Sequence, residues 1–233
     1  HNHAARVWRE GEKVYITCDK ETFEAVWRDY FDLDRDYAEI RRLVSIDDYM
    51  KRAAEFGKGI RILRQDRWEA LCSFIISQCN NIPRIRKIIE ALCELYGEPM
   101  IFEGRTLYAF PTAEKLARLS PEDLAPIRCG YRAPYIIDAA RAVAEGRLDL
   151  DELAKGGYEN ALASLKSISG VGDKVANCII LFGLQMLDAF PKDVWIIRAL
   201  KENFPQDFSP SVFGEYAGVA QQYIYYYARS GQK

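Results

Sequence analysis

Residues 5–18 alternate apolar and polar side chains around Gly11. That period of two predicts a β-hairpin with strands near 6–9 and 13–17. Two strands alone do not make a stable sheet, so further strands or the helices behind must cover them. From Asp19, which is placed to cap a helix, the period becomes helical and stays so. Phe23, Val26, Trp27, Tyr30 and Phe31 form one apolar stripe, continued by Leu43, Ile46 and Tyr49 on later helices. Asp66 is placed to cap a helix whose buried face is Trp68, Leu71, Cys72, Ile75 and Ile76, and residues 82–96 give another that stops at Gly97. Residues 99–110 are irregular, with room for a short strand. Helices are then predicted at 112–118, 121–126, 133–145, 158–166, 173–185, 193–203 and 211–229. There is no repeat and no low-complexity linker. The expected architecture is mainly α, a small and apparently N-terminally truncated β element followed by a helical body.

Composition fits a folded globular chain. The 233 residues suffice for one large domain or two small ones, with 49% hydrophobic and 12% aromatic residues. No apolar run approaches the roughly 20 residues that span a bilayer, and no secretory leader is visible. His1, Asn2 and His3 are assigned no function. A net charge of −2 and a pI near 5.9 do not announce a nucleic-acid binder and, taken alone, favour a small-molecule enzyme. The distribution changes the picture. Residues 21–40 hold seven acids and two bases, whereas residues 41–90 hold eleven bases and six acids. Phosphate binding depends on where positive charge sits, although a solvated face accounts equally well for such a run. The six cysteines (18, 72, 79, 93, 129 and 178) lack any paired Cys-x-x-Cys spacing. Cys72 and Cys79 are expected two turns apart on one helix, as core filling. The reading is a reduced, intracellular protein without structural disulfides.

The most informative stretch is Leu165-Lys-Ser-Ile-Ser-Gly-Val-Gly-Asp-Lys-Val-Ala176. It reads as two helices joined by a glycine hairpin, with Val171 plugging the turn and Ile168, Val175 and Ile179 packing the helices together. The free amides and dipole at the start of the second helix suit a phosphate. By itself a Gly-x-Gly is equally an ordinary helix–helix turn. Lys174 and, nineteen residues on, Asp193 raise it above that.

This block resembles the helix-hairpin-helix motif of DNA glycosylases, specifically the 8-oxoguanine DNA glycosylase branch of the HhH-GPD superfamily, and the resemblance runs from about Val7 to the end of the chain. It implies a two-lobed helical glycosylase body. The division is a partial N-terminal α+β domain at 1–50 and a helical glycosylase region at 51–233 containing the hairpin at 165–176. It implies that Lys174 attacks the deoxyribose C1′, releases the base and leaves a Schiff base that permits β-elimination. An amine does this when burial or a neighbouring cation lowers its pKa toward neutrality. Asp193 matches the family aspartate that stabilises the oxocarbenium-like sugar, and its plainer role is a helix cap. Gly170 and Gly172 would meet DNA phosphate, as would Trp195, which stands where the family often has histidine.

Three further matches follow the family's order. In Tyr216-Ala-Gly-Val-Ala-Gln221, Gln221 would read the flipped base through its amide, with Cys178 on one face and Tyr225, usually Phe, on the other. Tyr223, Tyr226 and Tyr227 are expected in the core. Ser77-Gln-Cys-Asn-Asn-Ile-Pro-Arg84 resembles the loop that holds the estranged cytosine, through Asn80, Asn81 and Arg84, with Cys79 replacing an asparagine. Otherwise it is a helix–helix turn with Asn caps. In Gly130-Tyr-Arg-Ala-Pro-Tyr135, Tyr131 would wedge beside the estranged base and Arg132 would donate to it, the alternative being a helix start with an exposed arginine. The family strand whose glycine carbonyl reads the N7 proton of oxoguanine has no counterpart here, and Val7-Trp8-Arg9 does not replace it.

The implied activity is a bifunctional DNA glycosylase/AP lyase for 8-oxoguanine opposite cytosine. The alternatives are a related enzyme for another damaged base and a non-catalytic DNA-binding module. The expected partner is damaged double-stranded DNA, met by a monomer without membrane contact. Its place would be the cytoplasm or nucleoid of a bacterium, or the nucleus of a eukaryote. No iron–sulfur cluster or other cofactor is expected, and whether the hairpin carbonyls hold a monovalent cation is left open.

Overall fold

Side chains that accept the free amides of a helix's first turn set where most of these helices begin. The structure is a computed structural model and describes residues 3–231, so that His1 and Asn2 lie outside it. Asp19, Asp47, Asp66, Asn81, Thr112 and Asp193 each accept a backbone N–H three residues on. Each such cap is worth about 1 kcal/mol.

Strands β1 (Val7–Glu10) and β2 (Lys13–Ile16) pair antiparallel, with Trp8 opposite and stacked on Tyr15. Short helices α1 (Lys20–Thr22) and α2 (Arg28–Tyr30) flank a π-helical turn at Phe23–Trp27. Then come α3 (Tyr37–Val44), α4 (Asp48–Phe56), α5 (Arg67–Ser77) and α6 (Ile82–Tyr96). A second antiparallel hairpin, β3 (Pro99–Phe102) and β4 (Arg105–Tyr108), fills the stretch predicted as irregular. The rest comprises α7 (Ala113–Ala117), 3-10 turns at Glu122–Ile127 and Gly130–Arg132, α8 (Ala133–Ala144), α9 (Leu150–Leu153) and α10 (Tyr158–Lys166). It closes with α11 (Asp173–Phe182), α12 (Val194–Asn203), a 3-10 stretch Pro210–Tyr216 and α13 (Ala217–Arg229). The fold is mainly α with two separate two-stranded sheets, and among the described residues no helix is long and apolar enough to cross a membrane.

One apolar core runs through the helices, built on the buried faces of α5, α8, α11 and α13. Tyr223 is fully buried at its centre. A Cβ on Gly57, just after α4, would meet its ring at 2.5 Å, so α4 and α13 touch there without a side chain between them. The N-terminal residues are held by a buried charge. The Asp32 carboxylate accepts from Arg35, Arg64 and the Tyr37 hydroxyl, and Tyr37 accepts from the Ile62 amide at 2.9 Å.

Several expectations are corrected. Helix α5 ends at Ser77, so Cys79 is not on it; the residue is exposed, with a left-handed φ of 46°. Segment 211–229 is not one helix, because Gly214 adopts φ 56°, ψ −137° and α13 starts only at Ala217. The helix predicted to reach 185 stops at Phe182, and residues 122–127, which include Pro126, form a 3-10 turn. Leu43 and Ile46 are exposed rather than part of the apolar stripe. Tyr223 and Tyr227 are in the core as expected, but Tyr226 is 51% exposed, packing one face on Phe56.

Candidate active site

The hairpin forms where the sequence places it, from α10, a turn and α11. Ile168, Val171, Val175 and Ile179 are all buried and close its seam. Its two glycines differ in what they need. Gly170 has φ 79°, and a Cβ there would lie 2.3 Å from the Tyr135 ring, so both backbone and packing require glycine. Gly172 caps α11 in an extended conformation without a side-chain hydrogen bond, and a Cβ there would meet nothing within 4 Å. The protein's own packing does not require this second glycine. It leaves the first amides of α11 open to an approaching acceptor.

Lys174 is the second residue of α11 and is exposed. One turn later Cys178 is buried, close enough to the Lys174 amine for that charge to act on its thiol. Burial pushes the Cys178 thiol up to about 11 against the pull of Lys174, and the Asp193 carboxylate adds to the rise. Cys178 is therefore a neutral thiol near pH 7, with the lysine and the aspartate both within electrostatic reach. Asp193 is half-buried and caps α12, accepting the Ile196 amide at 2.9 Å, so the plainer role foreseen for it is realised. Trp195, in the first turn of α12, is exposed. A cleft of about 1180 Å³ opens beside Lys174, lined also by Tyr158, Asn177, Asp188 and Lys192, and it does not include the three residues expected around the base.

Those three residues come from two helices. Gln221 is buried, at 4% exposure, and its Nε2 donates to the Pro191 carbonyl at 3.0 Å while its Oε1 accepts from Gln222. The amide expected to read a base is thus already paired in the free protein. Tyr225 is half-buried; its hydroxyl accepts from Arg229, whose guanidinium lies 5.4 Å from the ring centre.

The remaining candidates gather around residues 78–84 and 128–132. Asn80 donates to the Ile76 carbonyl and accepts the Asn81 amide, and Asn81 caps α6 by accepting the Arg84 amide. Both asparagines perform the structural duty open to them. Arg84 is exposed and reaches the Arg128 carbonyl at 3.4 Å. Tyr131 is 53% exposed, its hydroxyl over the Gln78 carbonyl at 3.4 Å, and a hydrogen bond with Cys79 raises its pKa. Arg132 differs from both readings made for it. It is 3% exposed, and its guanidinium donates to the carbonyls of Gln78, Cys79 and Cys129. In this arrangement most of its N–H groups are engaged by the loop carbonyls. Sequence reading passed over Tyr135 and Asp138, which contact Gly170 and Ser169; their signal was a spacing of four and seven residues from Tyr131 along one helical face. Among the described residues no group of three or more His, Cys, Asp or Glu is placed to hold a metal ion.

The hairpin with its exposed lysine, followed by a helix that an aspartate caps, stands in a chain similar to known DNA repair proteins. The chain belongs to the HhH-GPD superfamily of base excision DNA repair proteins, whose profile matches residues 72–209. More particularly, residues 7–71 match the N-terminal domain of 8-oxoguanine DNA glycosylases. A Saccharomyces cerevisiae N-glycosylase/DNA lyase is 38% identical over 63% of this chain, a match spanning 42% of the yeast protein. The solved structure of MBOgg1 with a low-affinity DNA ligand superposes with a TM-score of 0.92 at 42% identity, over 98% of this chain and 83% of that one. Clostridium acetobutylicum 8-oxoguanine glycosylase/lyase, bound to duplex DNA with cytosine opposite 8-oxoguanine, gives 0.90 at 39% identity, over 97% and 82%.

Proposed function

We propose that this protein is a bifunctional DNA glycosylase and AP lyase that removes 8-oxoguanine opposite cytosine. The observation that carries the reading is the placement of an exposed Lys174 amine at the open start of α11, with the neutral thiol of Cys178 one turn behind it and Asp193 in electrostatic reach of that thiol. Similarity to glycosylase/lyases over nearly the whole chain supports it.

The Lys174 amine, in its neutral form, bonds to C1′ while the glycosidic bond breaks. The bonding pair leaves with the base, which takes up a proton. The Asp193 carboxylate offsets positive charge growing on the sugar. The attached amine loses its proton, the sugar ring opens to a Schiff base, and loss of a C2′ proton then expels the 3′ phosphate. Lys174 is exposed in the free protein, and DNA laid over it excludes water from the reacting amine. Gly170, Gly172 and Trp195 meet the backbone phosphates. The flipped base enters between Cys178 and Tyr225, with Gln221 exchanging its bond to Pro191 for one to the base edge. Asn80, Asn81, Arg84 and Tyr131 face the estranged cytosine, and Arg132 shapes the loop beneath them. We assign residues 1–50 to the N-terminal α+β domain and 51–233 to the glycosylase region, and place the protein with the cell's DNA.

Borohydride trapping on a duplex carrying one 8-oxoguanine opposite cytosine tests the reading. The wild type is expected to form a covalent adduct and Lys174→Gln none. An adduct that persists in Lys174→Gln, or its absence from both while the duplex remains bound and uncut, would overturn it.

A further inference from the structure

Helix α8 begins two residues after Tyr131 and grips the hairpin at two points. The Tyr135 ring meets Tyr131 edge-on, with centroids 6.2 Å apart and planes at 75°. The same ring lies so close to Gly170 that a Cβ there would come within 2.3 Å of Cδ2. Nearly one turn on, the Asp138 carboxylate accepts the Ser169 amide at 3.0 Å. Burial opposes ionisation of Asp138, but the Ser169 hydrogen bonds, with Arg147 and Arg141 nearby, hold its pKa below the usual carboxylate value. The anchor is therefore charged at neutral pH. Four residues after Gly170 comes Lys174.

These contacts form an unbroken path from an exposed aromatic on one side of the site to the segment that presents the nucleophile on the other. We propose that Tyr135 is a positioning residue that carries the state of Tyr131 to the hairpin, with Asp138 as the fixed point against which the hairpin moves. The inference rests on the roles given above to Tyr131 and Lys174. Its physical basis is close packing. A ring in contact with a glycine backbone has no slack, so a shift of the Tyr131 ring is passed on rather than absorbed. With Ser169 held by Asp138, the displacement is expressed over residues 170–174. The hydroxyl of Tyr135 plays no part; its flat face does.

A double-mutant cycle tests this. Borohydride trapping rates on the 8-oxoguanine duplex are compared for wild type, Tyr131→Ala, Tyr135→Leu and the double variant, with Tyr135→Phe and Lys174→Gln as controls. Tyr135→Leu is expected to slow trapping about tenfold, the order of a small misplacement of a reacting group, and to do so only when Tyr131 is present. Tyr135→Phe retains the wild-type rate. Equal slowing by Tyr135→Leu in both backgrounds would show plain structural support and overturn the inference. If Tyr135→Leu fails to fold, Asp138→Ala takes its place in the cycle, with the same expectation and the same overturning result. Absence of any adduct from the wild type would instead remove the functional reading and this inference with it. An adduct in the wild type with an additive cycle leaves the function standing and removes only the coupling.

Discussion

Gln221 on α13 is hydrogen-bonded to the carbonyl of Pro191, two residues before Asp193. The side chain assigned to the flipped base thus ties its helix to the loop that presents the carboxylate. Replacing it with alanine strands a buried carbonyl and is expected to cost about 1–3 kcal/mol of stability. Gln221→Glu retains the size but offers no donor to that carbonyl and should be at least as harmful. Urea unfolding midpoints for the two variants check both statements.

Asp193 caps α12, and substitution separates that duty from the catalytic one proposed for it. Asparagine caps a helix as well as aspartate does, so Asp193→Asn should lose at most a few tenths of a kcal/mol while single-turnover excision falls a hundredfold or more, in the range of lost electrostatic stabilisation. Asp193→Ala should lose the same activity and about 1 kcal/mol in addition. Near-wild-type excision by Asp193→Asn would reduce the residue to a cap.

The two hairpin glycines make opposite predictions. Gly172→Ala should leave stability within about 0.5 kcal/mol, since its backbone is extended and its Cβ would meet open space. Affinity for a duplex with an abasic-site analogue, followed by fluorescence anisotropy, should nevertheless fall. Gly170→Ala should cost about 1–3 kcal/mol from its left-handed backbone alone, and more from collision with Tyr135.

Arg132 and Arg84, beneath and beside the loop at residues 78–84, should also part company. Arg132→Ala removes a buried guanidinium from three carbonyls and should destabilise by about 2–4 kcal/mol. Exposed Arg84→Ala should change stability by less than about 0.5 kcal/mol and act on preference for cytosine opposite the lesion. Thermal melts beside excision assays with each opposite base would separate them.

Alkaline stability should report on Cys178. Its thiol titrates near 11 in the folded protein against an ordinary value of 9.0. Below pH 9 both states keep the proton and nothing changes. Between 9 and 11 the unfolded chain loses it first, so stability falls by up to about 1.4 kcal/mol per pH unit, reaching at most about 2–3 kcal/mol. Denaturant unfolding at pH 8.5 and 10.5 should show a smaller difference for Cys178→Ala than for the wild type.

What could be read in advance follows from how far each signal reaches along the chain. Capping residues and helical periods act within a few residues, and Asp66, Asn81 and Asp193 cap where their sequence context says. The hairpin was legible for the same reason, its glycines, its plug and its lysine all lying within twelve residues. Gly214 was missed because a break in a helix-favouring run depends on what the neighbouring segments need. The burial of Arg132 was missed because two of its three acceptors lie 53 and 54 residues away, at a loop turn whose left-handed Cys79 no period announces. Nothing local to Gln221 foretold its bond to Pro191, 30 residues distant.

The clamp of Arg132 on residues 78 and 79 has a consequence for how such a protein searches DNA. A loop held by a buried cation through several carbonyls is shaped before any duplex arrives, so little chain entropy is lost when it is used. Each base pair tested then costs only the local contacts made and broken, and the wait at an undamaged pair is short. Loosening the clamp would tax every encounter along the genome, including the vast majority that end without a lesion.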